Sequence, residues 1–231
     1  MIKIENVDVY GWEAAIRGMR NPLDSWNKSD SCYLTINEIA GHPCDDGLQK
    51  EFVIGENDLQ LMKKLVKAGT DHSKFMRMIT VTLDIVAPMY WWKEFDTYKV
   101  ATVRNSCSTM HKIHSKEFTL DDFSHEHLRE FEWDDQYGEH YKTDSRRWLQ
   151  TTINELNWSR EKYLNANDKC YWWQIIQLLP SSYNQRSTVQ LNYAVLRNIY
   201  HARKNHKLDE WRDFCEWVKD ELPYSNLITE E

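Results

Sequence analysis

Residues 79–95 read Ile-Thr-Val-Thr-Leu-Asp-Ile-Val-Ala-Pro-Met-Tyr-Trp-Trp-Lys-Glu-Phe. Ile79, Val81, Leu83 and Ile85 alternate with Thr80, Thr82 and Asp84, a period of two that turns one face of a strand to the core and the other to water. Ala87-Pro88 ends the strand, because the residue before a proline is pushed out of the helical region and proline brings no N–H to a ladder. Met89 to Phe95 then starts a helix. A half-buried strand running at once into an aromatic helix implies a sheet with a helical layer packed on it.

The flanking sequence supplies the rest of both layers. Upstream, Ile2, Ile4, Val7 and Val9 alternate imperfectly and predict a first or edge strand. Residues 18–57 read as loop, punctuated by Gly-Met-Arg-Asn-Pro, Asp-Ser, Gly-His-Pro and Asp-Asp-Gly. Asp58 is placed to cap a helix with apolar positions Leu59, Leu61, Met62, Leu65 and Val66, and Gly69 stops it. Downstream the chain turns helical. Residues 115–143 are polar and predict a long connection with short helical turns. Helix-period apolar residues occupy 145–165 and 169–179, including Trp148, Leu149, Ile153 and Leu156, and Pro180 ends the run. Val189 to Arg203 and Leu208 to Leu222 predict two more helices. In the second, Trp211, Phe214, Cys215, Val218 and Leu222 form one stripe. With no internal repeat and no linker, residues 1–231 predict a single α+β domain with a small antiparallel or mixed sheet and a large helical layer.

Composition narrows the function. The 231 residues include 11 Trp, 12 Tyr and 7 Phe but only 7 Gly and 5 Pro, which argues against disorder and low-complexity linkers. The 29 Lys+Arg against 36 Asp+Glu leave a net charge of −7, so stable nucleic-acid binding is not expected, though a local basic pocket can hold one nucleotide. No apolar stretch approaches a membrane span and the first residues carry charges in place of an apolar signal core. Five scattered cysteines without a CxxC fit a reducing compartment, so a cytoplasmic protein is expected. There is no GxGxxG, Walker A or GxSxG sequence; a bound nucleotide must be held by side chains.

Three features carry chemistry on their own residues. His111, His114, His125, His127 and His140 lack the cysteines or HExxH frame of a zinc site and read as surface or loop histidines; no metal is expected. Tyr90-Trp91-Trp92 and Tyr171-Trp172-Trp173 read as packing, with at least one ring of each set expected to face a partner subunit or ligand, since adjacent helical residues point apart. Cys107, within Arg104-Asn105-Ser106-Cys107-Ser108-Thr109, is either an inert small residue or a nucleophile with its thiol acidified by Lys99 or Arg104.

The last third of the chain is more specific. Leu179-Pro180 is followed by Asn192, Leu196, Asn198 six residues after Asn192, Arg203 eleven residues after it, and Leu208-Asp209-Glu210-Trp211-Arg212. This resembles the C-terminal signature of the flavin-dependent thymidylate synthases: Leu-Pro, two Asn and an Arg at that spacing, and a Gln-x-Glu-Ile-Arg-like helix. Lys67-Ala68-Gly69 with His72 and Phe75, followed by the strand and Ala87-Pro88, resembles that family's His-Gly-His element, strand and helix start. The resemblance spans 58–222. The family's Arg-His-Arg-x-x-Ser-x-Asn-Glu-x-Ser-x-Arg motif would fall on Thr97 to Thr109 with none of its positions identical: Thr97-Tyr98-Lys99 replace the basic triplet, Thr102 a Ser, Arg104-Asn105 the Asn-Glu pair and Cys107 the second Ser. An arginine four residues before the proline is Ile176.

The resemblance implies a thymidylate synthase-complementing-protein-like fold and an enzyme that modifies a pyrimidine nucleoside monophosphate, dUMP or a relative, at C5. It implies FAD, held by His72, Asn192 and Asn198, with folate and NADPH as co-substrates. Arg203, Lys99, Arg104 and Asn105 would bind the nucleotide, and the active unit would be a homotetramer. The Ser-to-Cys replacement suggests a thiolate at Cys107 adding to C6 of the ring. Two alternatives stay open: a flavin-independent enzyme that modifies or isomerises the pyrimidine through Cys107, and a non-catalytic nucleotide-binding or oligomeric protein on the same fold.

Overall fold

The computed structural model describes residues 2–35 and 50–230. The Gly-His-Pro and Asp-Asp-Gly turns and Cys44 lie outside the described residues. In chain order the elements are β1 (Lys3–Tyr10), α1 (Trp12–Arg20), β2 (Cys32–Thr35), β3 (Lys50–Val53), α2 (Glu56–Lys67), β4 (Thr80–Pro88), α3 (Met89–Phe95), β5 (Val103–Ser106), β6 (Glu130–Asp134), β7 (His140–Asp144), α4 (Ser145–Ala166), α5 (Lys169–Leu178), β8 (Asn184–Asn192), α6 (Tyr193–Arg203), α7 (Asp209–Glu221) and α8 (Asn226–Thr229). Four strands form a sheet in the order β1-β4-β8-β5, and β2-β3 and β6-β7 form two antiparallel pairs. The class is α+β, as the alternation of 79–85 against the helical C-terminal half predicts.

The chain divides into two compact units. One comprises Met1–Glu5, Asp84–Thr97 and Arg104–Thr188; the other comprises Asn6–Leu83, Tyr98–Val103 and Val189–Glu231. In the first, Ile113, Phe118, Phe123, Leu149, Ile153, Leu156 and Ile175 form a buried cluster against which Ile176, Leu179 and Tyr183 pack. Ile176, compared above with an arginine position, here packs partly buried against this cluster. In the second, the predicted stripe on α7 is buried in full: Trp211, Phe214, Cys215, Val218 and Leu222. Tyr193 and Tyr224 meet Trp12 edge to face at 5.1 and 5.2 Å.

On β4 the predicted alternation holds, with Val81, Leu83, Ile85 and Ala87 buried and the residues between them half-buried. Burying each of the three larger side chains stabilises the fold by about 1.5–3 kcal/mol. Elsewhere the sequence reading needs correction. Residues 18–57 are not all loop, since α1 reaches into them and β2 and β3 pair within them, Tyr33 opposite Phe52 with rings 5.0 Å apart. The 115–143 connection holds a hairpin, β6-β7. It buries little and is held by a Trp133–Tyr141 stack at 5.6 Å and by Lys142 between Glu130 and Glu132; Phe131 and Trp133 do alternate with Glu130, Glu132 and Asp134, a short period-two signal that the sequence reading passed over. Val189 to Asn192 belong to strand β8, whose Ser187, Val189 and Leu191 point inward; the helix starts at Tyr193. Trp91 and Trp92 are both buried, so neither turns outward, whereas Trp173 is exposed.

Asp58 does not cap α2. The helix begins two residues earlier, and the Asp30 carboxylate caps it by accepting the N–H groups of Asn57 (2.9 Å) and Asp58 (3.1 Å). Asp58 is turned inward, fully buried, and accepts from Arg20 Nε at 2.6 Å and from the hydroxyls of Ser29 and Ser31 at 2.7 and 2.6 Å. Arg20 in turn donates to the carbonyls of Ser25 and Lys28, so one ion pair fastens the 25–31 segment to α1 and α2. Gly11, at φ 93°, permits the turn from β1 into α1, where a Cβ would lie 2.0 Å from the Met78 carbonyl oxygen.

Burial by itself raises the Asp58 carboxyl pKa, but the Ser31 and Ser29 hydroxyls and Arg20 outweigh it and hold it below the usual carboxylate range. A depressed folded pKa contributes stability that is present above the unfolded value of about 3.9 and is lost as pH falls through the folded value. Arg20→Ala, which strands the buried carboxylate, is expected to cost about 3–5 kcal/mol in urea unfolding at pH 7. That deficit should shrink as the pH is lowered beneath 4; a deficit that grew on acidification would contradict the assignment.

Candidate functional site

The residues singled out by sequence fall into two groups, one in each unit. In the first, Arg104 on β5 is held on every side. Its Nε donates to Ser187 Oγ (2.9 Å), its Nη1 to both Asp96 carboxylate oxygens (2.9 Å each) and its Nη2 to Gln185 Oε1 (2.6 Å). The guanidinium carbon lies 3.9 Å from the centre of the Trp92 ring. A guanidinium only donates, so Gln185 must present its oxygen to Arg104 and its NH2 to the other side, where it donates to the Cys107 carbonyl at 2.7 Å. The Cys107 N–H donates to the Arg186 carbonyl at 2.9 Å. Arg104 thereby fixes the backbone that carries Cys107, and Asn105 beside it is exposed on β5.

The Cys107 thiol is exposed and lines a cavity of about 260 Å³ with Tyr183, Asn184, Arg186 and the Lys116–Asp122 ion pair. Arg186 is paired with Glu5. This volume lies just under the range of about 300–1,000 Å³ typical for small-molecule sites, so it suits a base or a phosphate and not a dinucleotide.

In the second unit, α6 carries three of the expected residues. Asn192 is its N-cap, and the side-chain Oδ1 accepts the Val195 N–H at 3.1 Å. Asn198 is exposed on the same helix, and Arg203 is its last residue. At about 100° per residue, Asn192 and Arg203 share nearly one azimuth while Asn198 lies on another. Arg203 Nε donates to the Tyr98 hydroxyl at 2.9 Å and its guanidinium lies 4.9 Å from the centre of the Trp211 ring, which joins the end of α6 to the eroded triplet that contains Lys99. Lys99 and His72 are exposed, and the His72 N–H donates to the Gly69 carbonyl. Among the described residues, no hydrogen bond or ion pair occupies the side chains of His72, Lys99, Asn105 or Asn198.

The sequence reading missed the partners. Asp96, Gln185 and Ser187 around Arg104 come from separate segments, and no local spacing marks them. Tyr98 and Trp211 lie at positions compared with the family motif, where a hydroxyl and a ring in place of His and Ile were the available signal. Among the described residues no group of three His, Cys, Asp or Glu side chains converges as a metal site.

Because Asn192 serves as a cap, Asn192→Ala is expected to lower stability by about 1 kcal/mol, and Asn192→Ser to restore most of it. Urea denaturation of the two variants checks this; equal losses in both would show that capping is not the role of the side chain.

No family model and no curated protein match the chain in sequence. Solved structures do match in fold. A thymidylate synthase X from Helicobacter pylori, determined with FAD and dUMP, covers 100% of this chain and 98% of its own at 15% identity and a TM-score of 0.65. A second structure of the flavin-dependent enzyme from that organism gives 98% of both chains, 16% identity and 0.63. A UMP/dUMP methylase, PolB from Streptomyces cacaoi bound with 5-Br dUMP, covers 95% of this chain and 91% of its own at 15% identity and 0.55. The likeness runs from end to end, and the protein has the fold of the flavin-dependent thymidylate synthases.

Proposed function

We propose that this chain is a divergent flavin-dependent thymidylate synthase-like enzyme that acts on a pyrimidine nucleoside monophosphate, dUMP or UMP, and modifies the base at C5. The observation that carries the reading is the end-to-end likeness to a thymidylate synthase structure determined with FAD and dUMP. The placement of Asn192 as the N-cap of the helix that carries Asn198 and Arg203 supports it. In this reading residues 1–231 act as one domain, assembled as a cytoplasmic homotetramer, with folate as carbon donor and NADPH as reductant.

The donor set fits the cofactor in kind. Asn198 offers an amide that both donates and accepts, as the edge of a flavin ring requires, and His72 offers an exposed imidazole. Asn192 keeps the start of α6 in place through its cap, and Lys99 supplies an ammonium for a phosphate. Bound FAD supplies hydride chemistry. Arg203 binds the nucleotide, with Asn105 and Arg104 on the β5 side as further binding residues; Arg104 acts through Gln185 on the Cys107 segment. Cys107 is the covalent catalyst. Its thiolate adds to C6 of the pyrimidine, the C5=C6 electron pair moves toward C5 and the O4 carbonyl, and C5 becomes the nucleophile. After substitution at C5, loss of the C5 proton expels the thiolate and restores the double bond.

One observation favours a second reading, a pyrimidine-nucleotide enzyme without flavin. The family's basic triplet is reduced to Lys99, and Arg104 is bound to Asp96, Gln185 and Ser187, which leaves few cations for a diphosphate. The absorbance spectrum of the purified protein separates the two. Visible bands of oxidised flavin, at purification or after FAD is added and excess removed, are expected. A colourless protein that still binds dUMP or UMP would favour the second reading, and a protein that binds none of the three would sink both. In the active enzyme, Cys107→Ala is expected to lower turnover on the pyrimidine by at least about 100-fold while leaving nucleotide affinity within a few fold. Full turnover in that variant would remove the covalent role.

A further inference from the structure

The β6-β7 hairpin has two unlike faces. Residues directly opposite each other share a face, so Phe131 with Thr143 and Trp133 with Tyr141 lie on one side, and Glu132 with Lys142 on the reverse. The Trp133 and Tyr141 rings stack nearly parallel, 15° apart. Helix α4 follows β7 without a break. Asp144, Arg147, Trp148 and Thr151 fall at the three-and-four spacing that makes one stripe along it. The Trp148 N–H donates to Thr143 Oγ1 at 3.3 Å, which ties this stripe to the aromatic side of the hairpin. Stripe and hairpin together line a cavity of about 700 Å³, within the range of about 300–1,000 Å³ typical for small-molecule sites.

Two features of the cavity call for a ligand. Its walls include Trp133 and Trp148, which are 49% and 67% exposed, so two of the largest apolar side chains in the chain meet there and stay uncovered. The Arg147 guanidinium also lines it, and among the described residues no acceptor takes its N–H groups. The neighbouring charges are engaged. Lys142 lies between Glu130 and Glu132 at 2.7 and 3.3 Å, and the Asp144 carboxylate accepts the N–H groups of Arg146 and Arg147 at the start of α4. The Thr143 hydroxyl accepts from Trp148, which leaves its own proton to donate.

We propose that this cavity binds a small planar aromatic anion, its ring against Trp133 and Trp148 and its oxyanion held by Arg147, with the Thr143 hydroxyl as a further donor. Flat indole faces suit a ring of like shape. They attract organic cations too, but the open charge beside them is itself a cation and repels these. A neutral apolar ligand would cover the guanidinium without pairing it, at a desolvation cost. A carboxylate or other oxyanion matches the guanidinium fork and the hydroxyl together. None of these residues is among those assigned above to flavin or nucleotide.

Calorimetric titration of the full chain with naphthoate, with its neutral amide and with the non-aromatic cyclohexanecarboxylate tests the assignment. The same titrations are run on Arg147→Gln and Trp148→Ala; both side chains are exposed, and urea denaturation checks that each variant keeps its fold. Naphthoate is expected to bind with a Kd of about 1 mM or tighter, and either substitution to weaken it about 10-fold or more. Both comparison ligands should bind at least about 10-fold more weakly than naphthoate. Absence of naphthoate binding, equal affinity for the amide, or an affinity unchanged in either variant would overturn the proposal. Sedimentation of Trp148→Ala adds a separate check: a change in oligomeric state would show that a second copy of the chain covers the indole, and would also overturn it.

Discussion

An arginine side chain donates in up to five directions and accepts in none, and that one-sidedness organises much of this protein. Arg20 draws in the Asp58 carboxylate and the carbonyls of Ser25 and Lys28. Arg197 gathers the carbonyls of Leu227, Ile228 and Glu230, Arg160 that of His114, and Arg146 that of Leu128. With only 7 Gly and 5 Pro, the chain has few of the residues that turn a backbone on their own. Long cationic side chains laid onto loop carbonyls do part of that work. Because each guanidinium faces only acceptors, the polarity of its neighbours is fixed as well, and this sets the orientation of Gln185 beside Cys107 and the direction of the Tyr98 hydroxyl.

The same property separates structural arginines from those available to a ligand. Arg104 meets a carboxylate, an amide oxygen, a hydroxyl and an indole face within its own unit. That is a coordination shell already built, and substrate would have to displace it. Arg104 thus serves a nucleotide most effectively through what it holds. Ile176 makes the complementary point: it is partly buried and packs an apolar side chain against the cluster of Phe118, Phe123, Leu149 and Ile175. Against the motif compared above, Ile176 thus stands as an apolar packing residue where an arginine is expected, and Arg104 as a scaffold cation where an asparagine is expected.

Elements that bury a continuous face were legible in the sequence, and those held by pairwise contacts were not. The β4 alternation and the α7 stripe each encode a core-facing surface in residue spacing, and both appear where the spacing puts them. The β6-β7 hairpin depends on a Trp133–Tyr141 stack and on Lys142 between two glutamates, and its brief alternation of Phe131 and Trp133 with acids is exposed on both faces, so it reads as part of a solvated acidic connection. Val189 and Leu191 fit a helix continuing into Tyr193 and Leu196 as well as they fit a strand, and only the Asn192 cap marks the change of period. Candidate site residues were picked one at a time, as Asn192, Asn198 and Arg203 by spacing. The partners of Arg104 and Arg203 were not, because Asp96, Gln185 and Tyr98 come to them from separate segments.

The change from Arg-His-Arg to Thr97-Tyr98-Lys99 alters the physics of recognition on the proposed function. Point charges attract a dianion over about 8–10 Å and weaken as salt screens them. A phenol and an alcohol hydroxyl act only at contact distance and lose little to salt. A site that trades two permanent or switchable cations for Tyr98 and Thr97 gives up long-range attraction and gains directional selection, which favours a ligand whose acceptors sit at fixed positions over any ligand that is merely anionic. In a chain of net charge −7 that trade also weakens the pull on polyanions, whose binding rests on neutralised phosphates.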